Sequence, residues 1–185
     1  MQLNTQRLLI RNFELTDEDD LCEYMLQRVN AEFEAYPDFN REMAGQVVAS
    51  RSKSDEFFAI ELKESHKVIG NIYMGIRQFA AREMGYVLNE HYQGNGYASE
   101  AGCAMLAYAF GQGVRRVYAE STPLNIPSWR VMERIGLKRE AHFRQNISFC
   151  TDEQGRPIYW DTYVYAALNP GGKDCEVALS GQRLL

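Results

Sequence analysis

The chain has 185 residues, 45% of them hydrophobic, and a formal net charge of -5. That length suits one domain with a full core, and acids mixed with bases exclude the basic footprint of a nucleic-acid binder. No apolar run reaches the ~20 residues of a membrane span, no signal peptide opens the chain, and Cys22, Cys103, Cys150 and Cys175 match no metal knuckle or C-x-x-C spacing, so a reducing cytoplasmic setting is expected.

Leu8 to Phe13 alternates as a first strand. Thr16, followed by Asp17, Glu18 and Asp19, reads as an N-cap with acids in the first turn. The helix it starts should run to about Gln27, with Leu21, Tyr24 and Met25 facing the sheet. Asn30 to Asn40 is irregular and aromatic, either a packed connection or a wall of a binding site. Glu42 to Ser50 follows as a second helix. Phe57–Leu62 and Lys67–Tyr73 read as strands joined at the polar turn Lys63–His66. Gly75 to Ala81 connects to a strand over Glu83–Leu88. There Met84, Tyr86 and Leu88 share one face, and Glu83, Gly85 and Val87 the other.

The turn Gln93-Gly94-Asn95-Gly96-Tyr97 comes next. Ala98 to Phe110 then runs without proline, rich in Ala, Met, Leu and aromatics, as a helix with a small-residue face. Cys22 and Cys103 fall among apolar residues of helical stretches and read as core thiols. Gly111 and Gly113 bracket the helix end. Arg115 to Glu120 is the next strand, and Thr122 to Asn125 a turn. Pro127 to Ile135 is a helix with Trp129, Met132 and Ile135 as its buried stripe. Leu137–Phe149 and Ile158–Ala167 close the pattern as strands around the polar turn Thr151–Pro157. The strand–helix–strand crossover implies one parallel pairing in an otherwise antiparallel sheet. The expected class is therefore α/β, a mixed central sheet of about seven strands with flanking helices. One domain over residues 1–168 and a loosely held tail, Asn169 to Leu185, are expected.

Strand, glycine turn and helix together make a place for a phosphate. A helix start has free N–H groups and a positive dipole end, and glycines let those groups converge on an anion. No Gly-Lys-Ser/Thr follows Gly96, which excludes a P-loop. Ser99 stands where the third glycine of a dinucleotide fingerprint would fall. On the residues alone, an ordinary strand-to-helix turn remains the other reading.

The same stretch resembles motif A of the GNAT superfamily of N-acetyltransferases, Q/R-x-x-G-x-G/A, on Gln93, Gly96 and Ala98. Further segments resemble the RimJ/RimL branch of ribosomal-protein alanine N-acetyltransferases. These are Thr5 to Arg11, Glu83 to Tyr86, Tyr92 to Ala101, and Asn125-x-x-Ser128 before Gly136-Leu137. The likeness reaches about Leu168 and implies the GNAT fold, with fourth and fifth strands that splay apart. It implies acetyl-CoA as cosubstrate, no metal, and direct acetyl transfer to a primary amine in a ternary complex.

Carried over residue by residue, the backbone near Val87, Leu88 and Asn89 would bond the pantetheine arm. Gly94, Asn95, Gly96, Tyr97 and Ala98 would hold the pyrophosphate, with Gln93 shaping the loop. Asn125 would bond the cofactor arm or serve only as a helix cap. Ser128 would protonate the departing thiolate, with a backbone-bonded helix-start hydroxyl as the alternative. Glu83 is the candidate general base, directly or through water, or else a surface carboxylate. Phe33, Tyr36, Glu83 and Tyr163 are the candidate acceptor contacts.

The acceptor implied by the branch is a protein N-terminal α-amino group of the ribosomal-protein type. A small-molecule amine such as a polyamine or antibiotic is the second reading, and an inactive CoA-binding regulatory module the third. Nucleic acid and membrane are not expected partners, and both monomers and homodimers occur among the relatives.

Overall fold

In the computed structural model, which describes residues 1–27 and 39–171, eight strands form one sheet in the order β1-β2-β3-β4-β5-β6-β8-β7. The strands are β1 (Gln2–Asn4), β2 (Leu8–Asn12), β3 (Phe57–Leu62), β4 (Lys67–Arg77), β5 (Ala81–Leu88), β6 (Arg116–Ser121), β7 (Lys138–Thr151) and β8 (Pro157–Leu168). Among the described residues four α-helices flank it: α1 (Glu18–Met25), α2 (Arg41–Arg51), α3 (Tyr97–Gly111) and α4 (Ile126–Arg134).

Period-2 alternation gives the sheet two apolar faces. On one, Ile60, Ile69, Ile72 and Met84 pack under Ala101 and Met105 of α3 and Met132 of α4. On the other, Ala59, Val68 and the flanking Val87 pack under Leu21, Cys22 and Tyr24 of α1 and Ala44 and Val48 of α2. Each fully buried isoleucine or leucine contributes about 1.5–3 kcal/mol to holding helices on the sheet. The expected face of α1, with Leu21, Tyr24 and Met25 toward the sheet, is the observed one.

Every ladder is antiparallel except β5–β6. That parallel ladder holds only at Ala81↔Arg116, Arg82↔Val117 and Glu83↔Tyr118. Beyond it β5 stays with β4 as far as Leu88, while β6 stays with β8 as far as Ser121. The two strands thus diverge, and the sheet opens on the side where α3 begins.

Four expectations are corrected. The sheet has eight strands rather than about seven, because Gln2–Asn4 pairs with Leu9–Arg11 as a short edge. β4 and β5 are longer than expected, since Gly75, Ile76 and Arg77 pair with Glu83, Arg82 and Ala81. Thr16 is not a helix N-cap: it lies in a 3-10 turn, Leu15–Asp17, whose capping residue is Glu14, and Asp17 precedes α1. Asp17 is buried there and takes two bonds from the Arg11 guanidinium, at 2.8 and 2.9 Å, while Arg11 also bonds Glu61 at 2.7 Å. Cys103 is exposed, whereas Cys22 is buried as expected. No helix among the described residues is long and apolar enough to cross a membrane.

Candidate active site

The opening between β5 and β6 is a cleft of about 500 Å³. Its walls come from Met84 to Leu88 of β5, Glu120 and Ser121 of β6, the start of α4, and Ile147, Phe149 and Thr162 of the β7–β8 pair. The glycine turn and the first turn of α3 close one end, through Gln93, Gly94, Gly96, Tyr97, Ala98 and Ser99.

That end is built to face an anion. Gly94 and Gly96 have φ of +77° and +82°, a region that side chains resist. Gly96 is the N-cap of α3 and offers no capping side chain. The first helical bond is Glu100 N–H to the Gly96 carbonyl, at 2.9 Å. The amides of Tyr97, Ala98 and Ser99 therefore lack an acceptor in the helix. Ser99 Oγ is buried with no hydrogen-bond partner among the described residues. An orphaned hydroxyl beside three amides without a helical acceptor fits a phosphate group.

The turn is fixed from outside. Gln93 Nε2 donates to the Leu88 carbonyl at 3.1 Å, so Gln93 shapes the loop. Arg7 donates to Glu100 Oε2 at 2.8 Å and to the Asn95 carbonyl at 3.0 Å, and its guanidinium lies 4.4 Å over the Tyr97 ring. Thr5 Oγ1 and the Arg7 amide also donate to Glu100 Oε1, at 2.6 and 2.8 Å. Against the desolvation of that carboxylate, these bonds hold Glu100 below the usual carboxylate range.

At the fork of the two strands, alternation puts Tyr73, Glu83, Tyr118 and Glu120 on one face of the sheet. Glu83 Oε2 accepts from Arg77 Nε at 3.0 Å and Nη2 at 2.5 Å, and from Tyr118 Oη at 3.3 Å. Glu83 is thus held in an ion pair with Arg77, and it does not line the cleft. Glu120 does, at the exposed mouth. Partial desolvation and the charge of Glu83 push the Glu120 carboxyl up. On the opposite wall Asn125 Oδ1 accepts from the Ser128 amide at 3.2 Å and caps α4. Its Nδ2 has no protein partner among the described residues and stands on the cleft wall. Ser128 Oγ donates to Tyr86 Oη at 3.3 Å.

A family model described as Acetyltransferase (GNAT) domain matches residues 7–138 of the chain. The chain belongs to the GNAT acetyltransferases. Among curated relatives it is 37% identical over 175 residues to the uncharacterized N-acetyltransferase YnaD of Bacillus subtilis (strain 168), covering 91% of this chain and 97% of that one. Among solved structures it is similar to a GNAT-family acetyltransferase from Bacillus anthracis, at 32% identity and a TM-score of 0.82, covering 91% and 99% of the two chains. The ribosomal L7/L12 α-N-protein acetyltransferase RimL, solved with coenzyme A, shares the fold at 18% identity and a TM-score of 0.77, covering 91% and 98%. The protein is accordingly an acetyl-CoA-dependent N-acetyltransferase, and it shares its fold with RimL.

Within this GNAT protein the residues singled out from sequence divide. Val87, Leu88, Gln93, Gly94, Gly96, Tyr97, Ala98, Asn125 and Ser128 converge on the cleft. Asn95 does not: its side chain bonds the carbonyls of Tyr92 and Gln93, which tightens the turn. Asn89 is fully buried and structural. It donates from its amide to Ile69 and from Nδ2 to Glu23, and its Oδ1 accepts from Gln27 and from His91. Tyr163 faces away from the cleft, against the His142 ring at 4.9 Å and under Arg139 at 4.5 Å, because alternation turns Thr162 inward instead. Phe33 and Tyr36 lie outside the described residues.

Four residues of the GNAT site escaped the sequence reading. Glu120, Ser99 and Tyr86 line the cleft, and Arg7 pins its loop. Only Ser99 carried a signal, a hydroxyl in the first turn after a glycine pair.

Proposed function

We propose that this enzyme acetylates the α-amino group of a protein N-terminus, and that Glu120 is the base. The observation that carries this reading is the Glu120 carboxylate at the cleft mouth, outside the ion pair that occupies Glu83 and pushed up by partial desolvation and by that neighbour. An α-amine has an ordinary pKa near 7.7–8.0, against about 10.4 for a lysine amine. A carboxylate pushed up from its usual range is better matched to the first than to the second. The name of RimL, an α-N-protein acetyltransferase, agrees with this choice.

Acetyl-CoA supplies the acetyl thioester. The amides of Tyr97, Ala98 and Ser99, the Ser99 hydroxyl and the glycine turn would hold its diphosphate. The free edge of β5 and Asn125 Nδ2 would bond its arm. Glu120 attracts the acceptor ammonium and takes its proton, directly or through water. The Ser128 hydroxyl gives a proton to the departing sulfur.

The test is a panel read by release of free CoA. It contains peptides with a free N-terminal Ala or Ser, the same peptides N-blocked but carrying Lys, and a polyamine. The free N-terminal peptides should show kcat/KM at least tenfold above the others. A preference for the polyamine or the blocked lysine peptide would overturn the acceptor assignment.

A further inference from the structure

Ser128 is held from several sides. Its amide is bonded to Asn125 Oδ1 at 3.2 Å and to the Asn125 carbonyl at 3.1 Å. Its carbonyl accepts the Tyr86 hydroxyl at 2.7 Å, a short bond that brings β5 against the start of α4 across the cleft wall. Its Oγ lies 3.3 Å from the same Tyr86 oxygen. A phenol has one proton. With that proton given to the carbonyl, the Tyr86 oxygen can only accept, so the serine proton points at it. A 3.3 Å contact is long for two hydroxyls, whose bonds centre near 2.7–2.8 Å. The serine proton is therefore oriented but weakly held, and a nearby thiolate is a better acceptor.

We propose that Tyr86 is a positioning residue for acetyl transfer, holding the Ser128 hydroxyl at the cleft wall in the rotamer from which it protonates the departing sulfur. This rests on the role given to Ser128 above. The step balances. Ser128 Oγ releases its proton to sulfur as the sulfur–acyl bond breaks, and the amine nitrogen forms the new bond to the acyl carbon. The serine oxygen recovers a proton through water from that nitrogen. One proton moves, net, from nitrogen to sulfur. Burial pushes the Tyr86 phenol up to about 12. It therefore stays protonated throughout, remains the carbonyl's donor, and does not compete as the acid.

Two measurements on the wild type, Tyr86→Phe, Ser128→Ala and the double variant test this. The phenylalanine ring keeps the packing against the core, so thermal melting serves as the control for folding. In the first measurement, CoA alone is the probe, and the thiol of bound CoA is titrated by its thiolate absorbance. Both single variants should raise the thiol pKa by the same amount, about one unit, and the double variant should add nothing. In the second, with a free N-terminal peptide as acceptor, Tyr86→Phe should lower kcat about tenfold and leave KM for acetyl-CoA within twofold. On the Ser128→Ala background it should lower kcat by less than twofold. Multiplying losses, an unchanged thiol in Tyr86→Phe, or kcat and KM moving together would each overturn the proposal. A Ser128→Ala enzyme with wild-type kcat and thiol would overturn the Ser128 role as well, while leaving the acceptor assignment to the peptide panel.

Discussion

Ser99 carries a hydroxyl that folding has buried without a partner among the described residues. Leaving such a group unsatisfied costs about 1–3 kcal/mol, and a bond to a charged phosphate is worth about 1.5–3 kcal/mol. Ser99→Ala should therefore melt no lower than the wild type, and should bind acetyl-CoA about tenfold or more weakly. Calorimetric titration beside a melting curve reads both quantities. A second prediction turns on two carboxylates. Glu120 works as a base only when ionised, so kcat/KM rises as pH climbs through its raised pKa. Glu120→Gln should cost about 100-fold in kcat and remove that acid limb. Glu83→Gln deletes a charge that raises Glu120 and leaves Arg77 unpaired. Both effects lower the Glu120 pKa, so the acid limb should move to lower pH while activity persists. A pH profile in which Glu83→Gln abolishes the limb and Glu120→Gln leaves it intact would return the base to Glu83.

The glycine turn and helix α3 act as one element, because the turn aims the amides that the helix leaves free. Gly96 holds φ +82°. An alanine there costs about 1–2 kcal/mol and drags the first helical turn with it. Gly111, at the other end of α3, has open space around it and no positive φ. Gly96→Ala should lower both Tm and CoA affinity. Gly111→Ala should raise Tm slightly, by about 0.4–1 kcal/mol of stability, and leave affinity alone. Equal effects at both sites would mean that the turn has no task beyond linking strand to helix. Helix α3 was legible because Ala98 to Phe110 runs without proline in one dense apolar pattern. The β4–β5 hairpin was only partly legible. Its turn takes positive φ at Phe79 and Ala80, residues that give no turn signal. Strand Gln2–Asn4 is too short to show alternation. Cys103 misled because an apolar neighbourhood in sequence does not say which side of a helix meets the sheet. The choice between Glu83 and Glu120 was hidden for a like reason. It depends on Arg77, which reaches Glu83 only through the unforeseen end of that hairpin.

At the scale of the molecule, the phosphate-facing turn is assembled by segments far from it in sequence. Thr5 and Arg7 reach Glu100 and Asn95 from the first strand pair. Glu23 of α1 and Gln27 just beyond its end reach Asn89 and Glu90. The loop is thus set before any ligand arrives, and ligand binding should report on the whole fold. CoA at 100 times its Kd stabilises a one-site protein by about 2.7 kcal/mol. For a domain of this size each kcal/mol is worth roughly 2–4 °C, so Tm should rise by about 5–10 °C. Arg7 separates preorganisation from plain stability. Its side chain is 41% exposed, and its pair with Glu100 should contribute no more than about 1 kcal/mol to the free protein. Arg7→Gln should therefore shift the melting of the free enzyme little. At the same CoA concentration the rise in Tm should fall to about half, as a tenfold weaker Kd removes about 1.4 kcal/mol. Were Arg7→Gln to lower the free Tm steeply and keep the full CoA-induced rise, the pin would be a strut of the fold. Were CoA to leave the wild-type Tm unmoved, the turn would hold no diphosphate.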